Sequence, residues 1–193
     1  MKIKRIVAYI LDLFIVAVIA SAIFTLPIFK TESQNYTKYY EEYLTLITSG
    51  GSTDISEDEQ IEILYNMSKS SQSLYIINAG IIIIYFGIIS YILKGKTIGK
   101  KLLHIQTVPN KGKELNPNLY MLRQIIVTNL IPKIFSILSV IFFSGETWYT
   151  LNNLIGYLNY VVYLLIIGFM IFREDERGLH DIIGNTKVIS TNN

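Results

Sequence analysis

Most apolar residues in this chain run together in long stretches separated by polar segments. A hydrocarbon core of about 30 Å needs about 20 helical residues, each rising about 1.5 Å. Residues 6–29 meet that length with one charge, Asp12, and residues 74–93 and 151–172 meet it with none. Residues 119–143 also meet it, interrupted by Arg123 and Lys133. The pattern predicts an all-α fold: a polytopic helical membrane protein with four transmembrane helices. Lys2, Lys4 and Arg5 before the first stretch, with Ala20-Ser21-Ala22 inside it, resemble a cleavable leader. An acid within the apolar run, and its continuation to Phe29, favour a retained span instead.

The polar segments differ in sign. Residues 30–73 carry Glu32, Glu41, Glu42, Asp54, Glu57, Asp58, Glu59 and Glu62 against Lys30, Lys38 and Lys69. Residues 94–118 carry Lys94, Lys96, Lys100, Lys101, Lys111 and Lys113 against Glu114. Basic loops stay cytoplasmic, so both termini and the loop 94–118 are expected inside, and the acidic segment outside. The multi-pass chain is therefore expected in the cell's inner membrane. Lys94, Lys96, Lys100 and Lys101 should face anionic lipid, each attracted by about 1 kcal/mol near the surface.

Within the outer segment, Tyr36, Tyr39, Tyr40, Tyr43, Leu44 and Ile47 share a helical face that ends at Gly50-Gly51. Ser56 and Glu59 have the spacing of a capping box, and Ile61, Leu64 and Tyr65 follow it. The first two spans should thus extend outward as a helical hairpin. On the other side, residues 103–108 and 186–190 are β-prone and could pair as a small ribbon under the tail, 173–193. One membrane domain then covers residues 1–193.

Composition narrows the function. The chain has 17 Lys+Arg, 15 Asp+Glu, a net charge of +2 and 51% hydrophobic residues. Charged residues make up 17%, where a soluble domain would hold about a quarter. That excludes disorder and nucleic-acid binding through bulk charge. Absence of cysteine removes disulfides and thiolate metal sites. His104 and His180 are the only histidines, and no further ligand cluster accompanies them. No metal, cofactor or enzymatic constellation is expected. GKTIGKK at 95–101 has the composition of a phosphate loop but not its glycine spacing, and no strand precedes it.

Three charges fall inside the apolar stretches, where each is costly enough to need a reason. Arg5 shares a face with Asp12 but lies about 10.5 Å away along the axis. Arg123, entering from the same side, is the better partner for Asp12. The pair would either fix helix packing or form a proton or cation site. Lys133 follows Pro132, which should kink the helix. It would then face a wet cavity, unless residues 119–131 lie along the interface. Thr128, Asn129 and Asn159 suit hydrogen bonds between helices, and Gly80 and Gly87 a close-packing stripe.

Three separated pieces resemble the RDD membrane-protein family. They are Arg5-Ile-Val-Ala-Tyr-Ile-Leu-Asp12, GKTIGKKLLHIQTV from Gly95 to Val108 with Arg123 beyond, and Arg177-Gly-Leu-His180-Asp181-Ile-Ile-Gly-Asn-Thr186. That family is named for one arginine and two aspartates, which by position would be Arg5, Asp12 and Asp181. The acidic outer segment and Lys133 depart from its pattern. The resemblance implies an inner-membrane protein of bacterial or archaeal type, with transport of ions or other ligands. It also implies an Arg5–Asp181 pair docking the tail, above a deeper Asp12–Arg123 pair. The expected function is a small transporter or transporter subunit, with cation/proton exchange at Asp12. So small a chain should then work as a homo-oligomer. The alternative is a non-transporting scaffold or regulatory module for a partner protein.

Overall fold

A computed structural model of the chain describes residues 1–48, 56–112 and 114–191; the expected stop at Gly50-Gly51 lies outside them. Helix α1 spans Lys2–Phe24, ending short of Phe29 because Pro27 has no N–H to donate. Leu26 before it is extended, at φ −63° and ψ 148°. A 3₁₀ turn, Pro27–Phe29, leads into α2, Lys30–Thr48. The next helix, α3, covers Glu57–Ser70 behind a complete capping box. Glu59 N donates to Ser56 Oγ at 3.3 Å, and Ser56 N donates to Glu59 Oε2 at 3.2 Å. α2 and α3 pack together as a hairpin. A turn at Ser71 separates α3 from α4, Gln72–Ile92, which widens into a π-helix over Ile83–Ile89. The hairpin is therefore jointed to the two long helices rather than continuous with them.

After α4 come the short helix α5, Ile98–Leu102, and strand β1, Ile105–Pro109. The apolar stretch expected at 119–143 forms two helices, α6 at Pro117–Val127 and α7 at Leu130–Phe142, bent by 62°. The bend is not at Pro132. It falls at Asn129, whose left-handed backbone (φ 51°, ψ 42°) ends the ladder. Pro132 then occupies the first turn of α7, where N–H groups lack intrahelical acceptors anyway. α8 covers Gly145–Phe172, α9 Leu179–Ile183 and β2 Thr186–Ser190. β1 and β2 pair antiparallel, Ile105 opposite Ser190 and Pro109 opposite Thr186.

α1, α4 and α8 are each long and apolar enough to cross a membrane, and α6 with α7 makes a fourth if the bent pair is one span. Large apolar side chains, among them Phe14, Leu164 and Phe172, point outward along these helices. Such a belt suits a hydrocarbon solvent. One buried cluster joins Val16 of α1, Ala79, Ile82, Tyr85 and Phe86 of α4, and Leu130 of α7. A second sets Ile105 and Val188 of the ribbon against Ala8 of α1. The bent pair runs the length of the bundle. α6 packs on α9 at the ribbon end, while Tyr65 Oη of α3 donates to the Val140 carbonyl of α7 at 3.3 Å.

Polar packing differs from expectation. Thr128 Oγ1 donates within its own helix to the Gln124 carbonyl at 2.7 Å. Asn129 Nδ2 and Asn159 Oδ1 are buried without partners among the described residues. Asn152 is the side chain that joins helices: its Oδ1 accepts from Ser136 at 2.7 Å and its Nδ2 donates to Ser139 at 2.9 Å. Gly80 has open space around it, and Gly87 abuts only the flexible tip of Met121. Close backbone approaches occur instead at Gly95, against the Thr107 carbonyl, and at Gly99. For Gly99 the neighbour is α1. A Cβ there would lie 2.3 Å from the Ala8 carbonyl.

Candidate functional site

At the ribbon end, the tail crosses the start of α1 and brings α9 against α6. Gly178 caps α9, its N–H donating to Asp181 Oδ2 at 3.2 Å. That turn points the Asp181 carboxylate, which is fully buried, between two arginines. Arg5 reaches Asp181 Oδ2 from α1, and Arg123 Nε donates to Oδ1 at 3.0 Å from α6. Arg5 also donates through Nη1 to the Glu176 carbonyl at 2.5 Å. The expected two separate pairs are thus not what forms. Arg5 and Arg123 share Asp181, and Arg123 does not pair with Asp12.

Burial by itself would push the Asp181 carboxyl up, but the neighbouring His180, Arg123 and Arg5 more than reverse this and hold it well below the usual carboxylate range. His180 is neutral at physiological pH, because burial drives its pKa down to about 3. The two guanidiniums therefore supply the stabilising charge. His180 Nε2 faces both a donor and an acceptor, Arg5 Nη2 at 3.3 Å and Asp181 Oδ1 at 3.4 Å, and its second ring nitrogen is Nδ1. That Nδ1 is buried without a partner among the described residues.

Asp12 has no cation within pairing distance among the described residues. Instead it accepts from Tyr85 Oη at 2.6 Å, Thr97 Oγ1 at 2.5 Å and Gly99 N at 2.7 Å. Each hydroxyl is oriented by a bond of its own. Tyr85 Oη accepts from Ile98 N at 3.0 Å and Thr97 Oγ1 from Lys100 N at 3.3 Å. Both protons are therefore free to point at Asp12, a donor set that suits an acceptor-only carboxylate. Asp12 staples the 97–99 turn onto α1, and this contact is why position 99 must be glycine. Sequence alone does not single out Tyr85, Thr97 and Gly99, because 95–101 has the composition of a basic surface patch. The Thr97 N-cap ahead of α5 was the available signal.

A cavity of about 180 Å³ opens beside Asp12 and the two arginines that hold Asp181, lined by Arg5, Asp12, Lys100, Arg123, Gln124 and His180, with apolar walls from α1 and α8. Lys100 was expected among lipid headgroups. Its ammonium instead turns inward and donates to Thr107 Oγ1 at 2.9 Å. Lys94 and Lys101 are exposed and Lys96 is half-buried. Lys133, in the first turn of α7, is half-buried and stands apart from the cavity; Arg177 binds Asp175 Oδ2 at 2.8 Å in the tail.

Burial, with Arg123 adding to it, lowers the Lys100 pKa to about 7, against the opposing pull of Asp12 and Asp181. Its folded pKa lies below its unfolded value, so the unfolded chain binds more protons between pH 7 and about 10.5. Stability therefore rises with pH across that window and is lowest below it. Lys100→Met should raise the melting temperature clearly at pH 6 and much less at pH 9.5. Melting curves in detergent at the two pH values check this; an equal shift at both would refute it.

No curated protein and no solved structure matches the chain. A family model does, over residues 3–185, from the start of α1 to the turn before β2. That match takes in the shared Asp181, the stapled Asp12 and all of the cavity lining but Val188. The chain belongs to the RDD family.

Proposed function

We propose that this chain is a four-span protein of the cytoplasmic membrane, both termini inside, that works as a small transporter or transporter subunit. The cavity at the ribbon end is its ligand chamber. Pairing of β1 with β2 supports the span count: loop and tail share one side, so the chain between them crosses an even number of times. The bent pair and α8 supply two crossings. The basic loop and acidic hairpin support the orientation.

The observation that carries the reading is the chamber itself. Charged groups from α1, α5 and α6 open into one cavity with apolar walls, and buried charge inside a membrane is costly unless used. Cation/proton exchange at Asp12 is the narrower version. It requires the carboxylate to leave three fixed donors in each cycle, whereas Lys100 has a single side-chain bond, to Thr107, to release. Flux in proteoliposomes decides between them. Lys100→Gln is expected to abolish flux and Asp12→Asn to leave part of it in protein that still folds. Complete loss in folded Asp12→Asn would favour exchange at Asp12. Silence under every gradient, with a co-purifying protein, would favour the scaffold.

A further inference from the structure

Two features of the cavity are unused by the contacts above. The first is its charge. Asp181 is shared by two arginines and Asp12 is held by neutral donors, so among the described residues no carboxylate lies within 4 Å of the Lys100 ammonium. Gln124 Nε2 is a buried N–H donor with no partner among the described residues. A cation and an unpartnered donor in a single apolar enclosure call for an anion with several acceptor oxygens.

The second is its opening. Ile6 and Tyr9 of α1 form one wall, and Tyr163, Ile166, Ile167 and Met170 of α8 the other. Ile6 and Ile167 are each 42% exposed, on faces that would meet hydrocarbon. The cleft therefore opens sideways into the membrane. A ligand there has its charge at the ribbon end and its apolar part between two helices. Basic pockets between transmembrane helices at the cytoplasmic side take lipid headgroups in this way. At about 180 Å³ the cavity holds a phosphate with its first carbons; the remainder must leave through the Ile6–Ile167 rim.

We propose that the cleft between α1 and α8 binds one anionic phospholipid per chain, its phosphate at Lys100, Arg123 and Gln124 and one acyl chain along Tyr9, Ile166 and Ile167. This rests on the cavity being a ligand chamber, and not on net transport. It differs from the attraction of surface lysines to a membrane, because Lys100 faces inward and Lys101 does not.

The full chain, stripped of lipid in detergent, is titrated with phosphatidylglycerol, phosphatidylcholine and inorganic phosphate and read by native mass spectrometry. One phosphatidylglycerol per chain is expected to bind. Lys100→Gln, which removes charge, and Ile167→Trp, which fills the apolar wall, should each weaken it about tenfold, while Lys101→Gln leaves it within about twofold. Both damaging variants are checked for monodispersity, and loss in either folded variant suffices as support. Equal binding of phosphatidylcholine would overturn the proposal. So would full competition by inorganic phosphate at equal concentration, which would make this a free-anion site, or equal losses in Lys100→Gln and Lys101→Gln. Lipid bound without any flux would sink transport and leave the site standing; flux without lipid selectivity would do the reverse.

Discussion

Asp181→Asn should cost about 3–5 kcal/mol of stability, the largest effect expected of any single substitution here. Asparagine keeps the size but removes the one charge that Arg5 and Arg123 share. Two buried guanidiniums are then left facing each other across a neutral amide. The acceptor for Gly178 N is weakened as well, loosening α9 where it enters the bundle. Detergent-solubilised variant should elute largely as aggregate, or melt well below wild type. A melting temperature within a degree of wild type would show that the cluster carries no such load. The three-way geometry also forecasts a failed rescue. Exchanging the charges of Arg5 and Asp181 would restore a simple pair, yet the new arginine would meet Arg123, so the double variant should be no better than Asp181→Asn.

Gly99→Ala is expected to be second, at about 3 kcal/mol, from overpacking together with a lost hydrogen bond to a charged group. Its Cβ would sit 2.3 Å from the Ala8 carbonyl and 2.9 Å from Asp12 Oδ1. The first neighbour is backbone of a long helix and cannot step aside, so α5 must retreat. Retreat breaks the 2.7 Å bond from Gly99 N to Asp12 and drags Thr97 with it. Gly156, inside α8 with nothing within 4 Å of its would-be Cβ, is the control. Alanine there should be neutral or slightly stabilising, since it removes glycine's helix penalty. Comparable melting temperatures for the two alanine variants would refute the staple.

The long helices, the capped hairpin and the ribbon were legible because each rests on a local signal. These are apolar length, Ser56 with Glu59, and β-prone runs that need each other. Arg5 and Asp181 were joined through the family resemblance, on the argument that both would lie at one face. The partner of Arg123 was not legible. Depth along a span ranks it equally well against Asp12 or a docked tail, and only the Gly178 turn aims Asp181 between the arginines. The inward turn of Lys100 was hidden for a similar reason. Among four basic residues in one loop, the composition is the same whichever one Thr107 and the 97–99 staple pull inside. The bend was placed at Pro132, the residue known for kinks, whereas the left-handed turn at Asn129 has no comparably strong sequence sign.

Arg5 and its carboxylate partner are 176 positions apart, which has a consequence for biosynthesis. At about 5–20 residues per second, Arg5 leaves the ribosome roughly 9–35 s before Asp181 exists. Throughout that interval α1 holds a guanidinium whose counter-charge has not been made, and the ribbon lacks its second strand. Chains broken off before the tail would carry nearly all of the hydrophobic length yet leave Arg5 and Arg123 exposed to each other. The carboxylate that closes the cluster is thus added only after both of its arginines are in the chain.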